Sequence, residues 1–95
     1  MLRISIHGSE GKFVSLRLEG QIAGAWISAL AEVCERMLAA DRKVTLDLGD
    51  VSFIDRRALT LLAALSHRGV ALARCSPFQK EQLRMASTPK PDATL

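Results

Sequence analysis

Residues 44–65 read VTLDLGDVSFIDRRALTLLAAL, and the period of their apolar residues changes within the stretch. Val44, Leu46 and Leu48 alternate with polar residues, which is typical of a strand with one buried face. Beyond Asp55 the apolar residues recur at helical spacing. They are Ala58, Leu59, Leu62 and Leu65. Because Asp is a favoured N-cap residue, the stretch predicts a buried strand that leads directly into a capped helix.

The start of this helix is where we expect function to lie. A strand that ends in a capped helix places the positive end of the helix macrodipole at the edge of the sheet. Such an end can receive an anion or a protein partner. Arg56 and Arg57 add two cationic side chains at the same place. Their charge opposes the helix dipole, at an expected cost of roughly 0.3–1 kcal/mol each when exposed.

The first part of the chain predicts a β-hairpin followed by a helix. Apolar and polar residues alternate over residues 2–7 and again over residues 14–18, with a glycine-containing turn at residues 8–11 between them. Apolar residues at helical spacing then predict a helix from about Ala25 to Ala40. Trp26, at its start, is expected to pack in the core, and a place at the border of the partner surface is the alternative.

The last part of the chain predicts a short strand and a third helix. The second helix is expected to end near Arg68, because Gly69 can take the positive φ of a C′ residue without strain. Val70 and Leu72 alternate with Ala71 and Ala73, which predicts a last short strand. Residues 76–79, Ser-Pro-Phe-Gln, form a capping box with proline at the first helical position, so they predict a helix that reaches Met85.

The predicted element order is ββαβαβα, which indicates an α/β domain with helices packed on one sheet. We expect residues 1–86 to form this domain. Residues 87–95, STPKPDATL, contain two prolines and one large apolar residue, so we expect a flexible tail.

Length and composition describe a small soluble domain. The chain has 95 residues, of which 48% are apolar and 24% are charged, enough for one two-layer core. No apolar run approaches the roughly 20 residues of a membrane span, and the N-terminus lacks the apolar core of a signal peptide. We therefore expect a cytoplasmic protein with no membrane insertion, in which Cys34 and Cys75 are reduced and unpaired. A formal charge of +3 is too mild to indicate a nucleic-acid partner.

The central segment resembles the signature of STAS domains, the family of bacterial anti-sigma-factor antagonists and of the cytoplasmic tails of sulfate transporters. Members carry an apolar strand ending in Asp, then Ser-Ser-Gly or Ser-Thr-Gly, then Leu and an apolar helix. Residues 46–55 (LDLGDVSFID) and Leu59 match this signature, and residues 18–22 (LEGQI) resemble the family's second strand and turn. The resemblance covers most of residues 1–86 and implies a mixed sheet with helices packed on it.

One departure from the family pattern bears on regulation. Where the regulated antagonists carry a phosphorylatable Ser, this chain has Arg56, followed by Arg57 and by Ala58 in place of Gly. The resemblance implies a non-catalytic protein-interaction module without the usual phosphoacceptor. It also implies a protein partner, either an anti-sigma factor that is a kinase or, alternatively, the ATPase subunit of an ABC-type lipid transporter. It implies no cofactor and leaves the oligomeric state open.

The resemblance and the helical phase together indicate a partner-binding face. With Leu59, Leu62 and Leu65 facing the core, the other side of the second helix is polar and cationic, with a small apolar margin at Leu61. Solvated helices also have such faces. The predicted partner-binding residues are Asp55, Arg56, Arg57, Thr60, Leu61, Ala64 and Arg68.

Two other site hypotheses are weaker. Asp47, Asp50 and Asp55 could form an acidic pocket that binds Mg²⁺ in a receiver-like, phosphoryl-accepting domain. The chain is short for that fold and has no evident lysine on a late strand. Ser52, Asp55 and His67 could be written as a catalytic triad, but nothing marks a nucleophile elbow, so no enzyme is expected.

The two histidines give no sign of a metal site. His7 and His67 have no cysteine or carboxylate at metal-ligand spacing, so both are expected to be exposed.

Overall fold

The computed structural model describes residues 1–87, which form four strands and three helices. The strands are β1 (Leu2–Glu10), β2 (Phe13–Ile22), β3 (Lys43–Ile54) and β4 (Ala71–Ala73). The helices are α1 (Ala25–Ala39), α2 (Arg56–His67) and α3 (Pro77–Ser87). The predicted α/β class and the order ββαβαβα are confirmed. Of the predicted tail, residues 88–95 lie outside the described residues.

The four strands form one mixed sheet in the order β1-β2-β3-β4. β1 and β2 are an antiparallel hairpin, whereas β2 and β3, and β3 and β4, are parallel pairs. β4 is short and pairs only with residues 45–47 of β3. Because β2 and β3 run parallel and end at the paired residues Ile22 and Ile54, α1 and α2 begin at the same edge of the sheet.

The core consists of apolar side chains that alternate along the central strands and recur along the helices. The largest fully buried ones are Leu16, Leu18, Ile22, Leu30, Cys34, Leu46, Leu48, Leu62 and Leu65. No polar or charged residue is buried among residues 1–85. Burial raises the pKa of the Cys34 thiol to about 11, with a smaller contribution from the charge of Glu35, so this thiol is protonated at neutral pH. Both cysteines are free.

The three predicted helix boundaries that depend on capping are confirmed. The Asp55 carboxylate accepts a hydrogen bond from Ala58 N at 2.9 Å, as an N-cap should. Gly69 has a φ of 99° directly after the end of α2. Ser76 and Gln79 exchange the two reciprocal hydrogen bonds of a capping box, each 3.0 Å long.

Some expectations for the first part of the chain were wrong. The hairpin turn lies at Gly11 and Lys12 rather than at residues 8–11, because a β-bulge between Ile6 and Gly8 lets the strand pairing continue to Glu10. Ile6, next to this bulge in an edge strand, has 63% of its surface exposed.

The expectation that Trp26 packs in the core was also wrong. It lies in the first turn of α1 with 41% of its surface exposed, and Leu30 and Cys34 make the buried contacts of this helix instead. His7 and His67 are exposed, as expected. None of the helices formed by residues 1–87 has the length and apolar character of a membrane span.

The phase of α2 can be tested by comparing a buried with an exposed residue. Leu62 is fully buried, so Leu62→Ala should lower the free energy of unfolding by about 2–5 kcal/mol. Arg57 is exposed, so Arg57→Ala should change it by less than about 0.5 kcal/mol. Urea denaturation followed by circular dichroism gives both values. Equal midpoints for the two variants would contradict the helical phase.

The cap of α2 can be tested in the same way. Asp55→Ala removes the oxygen that accepts the Ala58 N–H, so it should lower the free energy of unfolding by about 1 kcal/mol. Asp55→Asn is the matched control, because asparagine also caps helices well and should retain most of that stability. If alanine and asparagine are tolerated equally, the hydrogen bond contributes little.

Candidate partner-binding surface at the start of α2

Asp55 positions the first turn of α2 through its backbone as well as its side chain. Its N–H donates to Ile22 O at 3.1 Å and thereby closes the pairing of β3 with β2. Its C=O accepts from Leu59 N at 3.0 Å, and its carboxylate accepts from Ala58 N. Arg56 and Arg57 follow at once as the first two residues of the helix, and both are exposed. The strand and the helix therefore leave these two side chains facing solvent at the positive end of the helix macrodipole.

Arg56 and Arg57 differ from most other arginines in that their side chains have no partner among residues 1–87. The guanidinium groups of Arg17, Arg68 and Arg74 bind the carboxylates of residues on other elements. Neither the Arg56 nor the Arg57 side chain has a hydrogen bond or ion pair with a described residue. Two unneutralised cations thus stand side by side at the start of α2, which is the electrostatic condition for attracting an acidic surface.

The rest of the predicted surface is only partly assembled. Thr60 and Ala64 are exposed on the same side of α2 as the two arginines, and Leu61 is half-buried at its margin. Arg68 lies apart from them, at the C-cap of this 12-residue helix, which is about 18 Å long. Its guanidinium donates to Glu35 of α1.

The pairing of Arg68 with Glu35 gives it a structural role. The hydrogen bond from Arg68 lowers the pKa of the Glu35 carboxyl, and the charge of the guanidinium adds to this effect. Arg68 therefore links the far ends of α1 and α2. It does not belong to the cationic cluster of Arg56 and Arg57.

The flank of α2 that faces α3 contains a groove that the sequence analysis did not identify. Leu59, expected to be buried, is only half-buried because it lies at the boundary with α3. There it lines a groove of about 400 Å³ together with Arg56, Thr60, Gln82 and Met85. Gln82 and Met85 belong to α3, so the third helix borders the predicted surface. A signal was present in the sequence, since Phe78, Gln82 and Met85 are spaced to lie on one helix face.

The three aspartates of the alternative receiver-like pocket have other partners. Asp47 accepts from Arg74 Nε and from Gly49 N, each at 2.9 Å, and these two bonds lower the pKa of its carboxyl. Asp50 accepts from Arg17 Nε at 2.8 Å. Within residues 1–87 no group of three or more His, Cys, Asp or Glu side chains is arranged to hold a metal ion.

The residues of the possible triad do not meet. Asp55 caps the start of α2, whereas His67 is the last residue of the same helix, about 18 Å away along its axis. Ser52 Oγ donates to Gly20 O at 3.1 Å instead of to either residue.

Solved structures with the same fold are known. The chain is similar to the anti-sigma factor antagonist SpoIIAA in its unphosphorylated form, with a TM-score of 0.69 at 12% sequence identity over 97% of this chain and 93% of that one. It is also similar to a protein called Mglu, with a TM-score of 0.57 at 26% identity over 79% of this chain and 19% of that one. The first likeness shows the fold, a four-stranded mixed sheet with three helices. No curated protein matches the sequence.

The sequence itself identifies the family. The pattern of the STAS domain matches residues 3–87, which include every strand and helix of the structure apart from Leu2 at the start of β1. With nearly the whole chain matched, and with a fold like that of SpoIIAA, the protein belongs to the STAS domain family.

Proposed function

We propose that this chain is a non-catalytic protein-interaction module of the anti-sigma-factor antagonist type, and that its partner docks at the start of α2. The observation that carries the proposal is the exposed pair Arg56 and Arg57, which has no partner among the described residues of a STAS domain. The Asp55 cap holds this pair at a fixed place on the sheet edge. The docking surface consists of Asp55, Arg56, Arg57, Thr60, Leu61 and Ala64.

The proposed module has no phosphorylation switch at the family position. A phosphate on serine adds a charge of about −1.5 to −2 at neutral pH, which is how phosphorylation of the regulated antagonists breaks their complexes. Arg56 has no hydroxyl group and carries the opposite charge. Either this chain binds its partner constitutively, without control by phosphorylation at position 56, or it binds a different class of partner.

The charge of the docking surface indicates the kind of partner. Two free guanidinium groups at a helix N-terminus favour carboxylates, which they can bind with two parallel hydrogen bonds each. The surface therefore fits an acidic patch on another protein. An anti-sigma factor is the first candidate, and the ATPase subunit of an ABC-type transporter is the second. A pull-down from native lysate, followed by mass spectrometry, tells which class is bound.

Because Arg56 replaces the phosphorylatable Ser, we expect an anti-sigma kinase with ATP to leave residues 52–60 unphosphorylated. Ser52 and Thr60 are the remaining hydroxyls in that segment, and both donate to backbone carbonyls, Ser52 to Gly20 and Thr60 to Arg56. Intact-mass measurement and peptide mapping after incubation test this. A phosphate on Ser52 or Thr60 would show that the switch has moved rather than disappeared.

The docking surface predicts two different responses to salt. Arg57→Glu reverses a rim charge, so it should weaken partner binding most at low ionic strength, mainly through the association rate. Leu61→Asp removes an apolar contact, so it should weaken binding at every salt concentration, mainly through dissociation. Surface plasmon resonance between about 50 and 500 mM salt, spanning strong and weak screening, separates the two effects.

Arg3→Glu is the matched control, because Arg3 is an exposed arginine of β1 without a partner among the described residues. Circular dichroism must show that all variants are folded. Leu61 is half-buried, so Leu61→Ala replaces Leu61→Asp if the aspartate unfolds the chain. If Arg57→Glu and Arg3→Glu weaken partner binding equally, net charge alone attracts the partner, and the proposal that the partner docks at α2 is wrong.

A further inference from the structure

The third helix presents two large apolar side chains to solvent on one face. Phe78 and Met85 are 71% and 67% exposed, and they lie seven residues apart, two helical turns along α3. Gln82 lies between them on the same face. Single exposed apolar residues are common, but an aligned pair on a helix that is anchored by a capping box forms a patch.

This patch continues across two adjoining cavities. One, of about 450 Å³, is lined by Phe53 from the end of β3 together with Phe78 and Gln82. The other, of about 400 Å³, is the groove between α2 and α3, lined by Leu59, Met85 and again Gln82. Because Gln82 lines both, the cavities are neighbours along α3. We call the two together the α3 groove. Phe53 is 51% exposed, so it adds a third apolar side chain to this surface.

One end of the α3 groove carries a positive charge. Arg56 lines the groove and has no acceptor among the described residues. Arg74 lines the other end, but its Nε donates to Asp47, and Asp50 lies 3.8 Å from its terminal nitrogen. The groove thus combines the apolar side chains of Phe53, Phe78 and Met85 with polar ones such as Ser52, Ser76 and Gln79. Among residues 1–87, Arg56 is the guanidinium in its lining that has no acceptor.

We propose that the α3 groove takes an amphipathic segment of the partner protein, whose large apolar side chains pack on Phe53, Phe78 and Met85 while a neighbouring carboxylate binds Arg56. Phe78 and Met85 are about 10 Å apart along the helix axis, so a helical segment with apolar residues at positions i and i+7 matches them. This inference rests on the proposed function. It adds α3 to the docking surface and defines the chemistry of the partner.

A small probe tests the chemistry of the groove directly. The chain has three methionines, and ¹³C-labelled methyl groups give one NMR signal each for Met1, Met37 and Met85. Adding 4-phenylbutyrate should shift the Met85 signal in a saturable way and leave the other two unchanged. The uncharged analogue 4-phenylbutan-1-ol should bind about three-fold more weakly, as expected for one exposed charge pair. Arg56→Gln should abolish that difference, whereas Arg3→Gln should not.

Measuring the affinity for the captured partner tests whether a segment of that partner occupies the α3 groove. Phe78→Lys and Met85→Lys should each weaken binding of the captured partner at least about ten-fold, as for a buried apolar anchor. Phe13→Lys is the matched control, since Phe13 is a similarly exposed phenylalanine, 66%, located at the hairpin turn of the sheet. It should leave the affinity unchanged.

Three results would overturn this inference. In the NMR experiment they are a Met85 signal that 4-phenylbutyrate does not shift, or equal shifts of all three methionine signals. In the binding experiment it is an equal loss of partner affinity in Phe78→Lys and Phe13→Lys. A Met85 shift on dilution would assign the groove to a second copy of the chain, and a shift caused by Leu95→Ser would assign it to the chain's own C-terminus. If Phe78→Lys leaves partner binding unchanged while Arg57→Glu weakens it, the proposed function stands and the proposal that the α3 groove binds the partner is wrong. If Arg57→Glu is neutral while Phe78→Lys weakens binding, the docking surface at the start of α2 is wrong.

Discussion

The N–H, C=O and carboxylate of Asp55 hold the end of the sheet and the start of a helix in one fixed relation. The N–H continues the pairing of β3 with β2 by donating to Ile22 O, the carboxylate accepts from Ala58 N, and the carbonyl accepts from Leu59 N as the first intrahelical hydrogen bond of α2. Since both sets of bonds meet in one residue, the rotation of α2 about its own axis is fixed relative to the sheet. That rotation buries Leu62 and Leu65 and turns Arg56 outward. The core and the proposed docking surface therefore depend on the same junction.

The ion pairs on the surface explain which cations remain available. Exposed pairs of this kind contribute little stability each, at most about 1 kcal/mol. They nevertheless hold Arg17, Arg68 and Arg74 against carboxylates of neighbouring elements. Of the arginines that the structure describes at the carboxyl edge of the sheet, Arg56 and Arg57 at the start of α2 remain free. A partner that approaches this edge meets a local excess of positive charge, although the chain as a whole carries only +3.

The sequence predicted what local chemistry determines and missed what depends on tertiary structure. The Asp55 cap, Gly69 and the capping box of α3 were predictable, because each is a short-range preference of the backbone. The pairing of Arg68 with Glu35 was not, since the two residues meet only when α1 and α2 pack side by side. The bulge after Ile6 also had no local signal, because strand register is set between strands. The α3 groove needed the relative positions of β3, α2 and α3.

The short length of β4 has a consequence for solubility. Because β4 pairs only with residues 45–47, residues 48–54 of β3 form an open sheet edge. Leu48, Val51, Phe53 and Ile54 give this edge a partly apolar sequence, and an open edge can recruit the same strand of another molecule and start an aggregate. The register with β2 shifts twice along residues 47–53, so this edge is bulged and does not offer a regular ladder. The Arg74 side chain also lies close over Gly49, where an added Cβ would come within 2.6 Å of its guanidinium carbon. A side chain at Gly49 would push this charged group aside and remove one of the features that keep the edge from pairing.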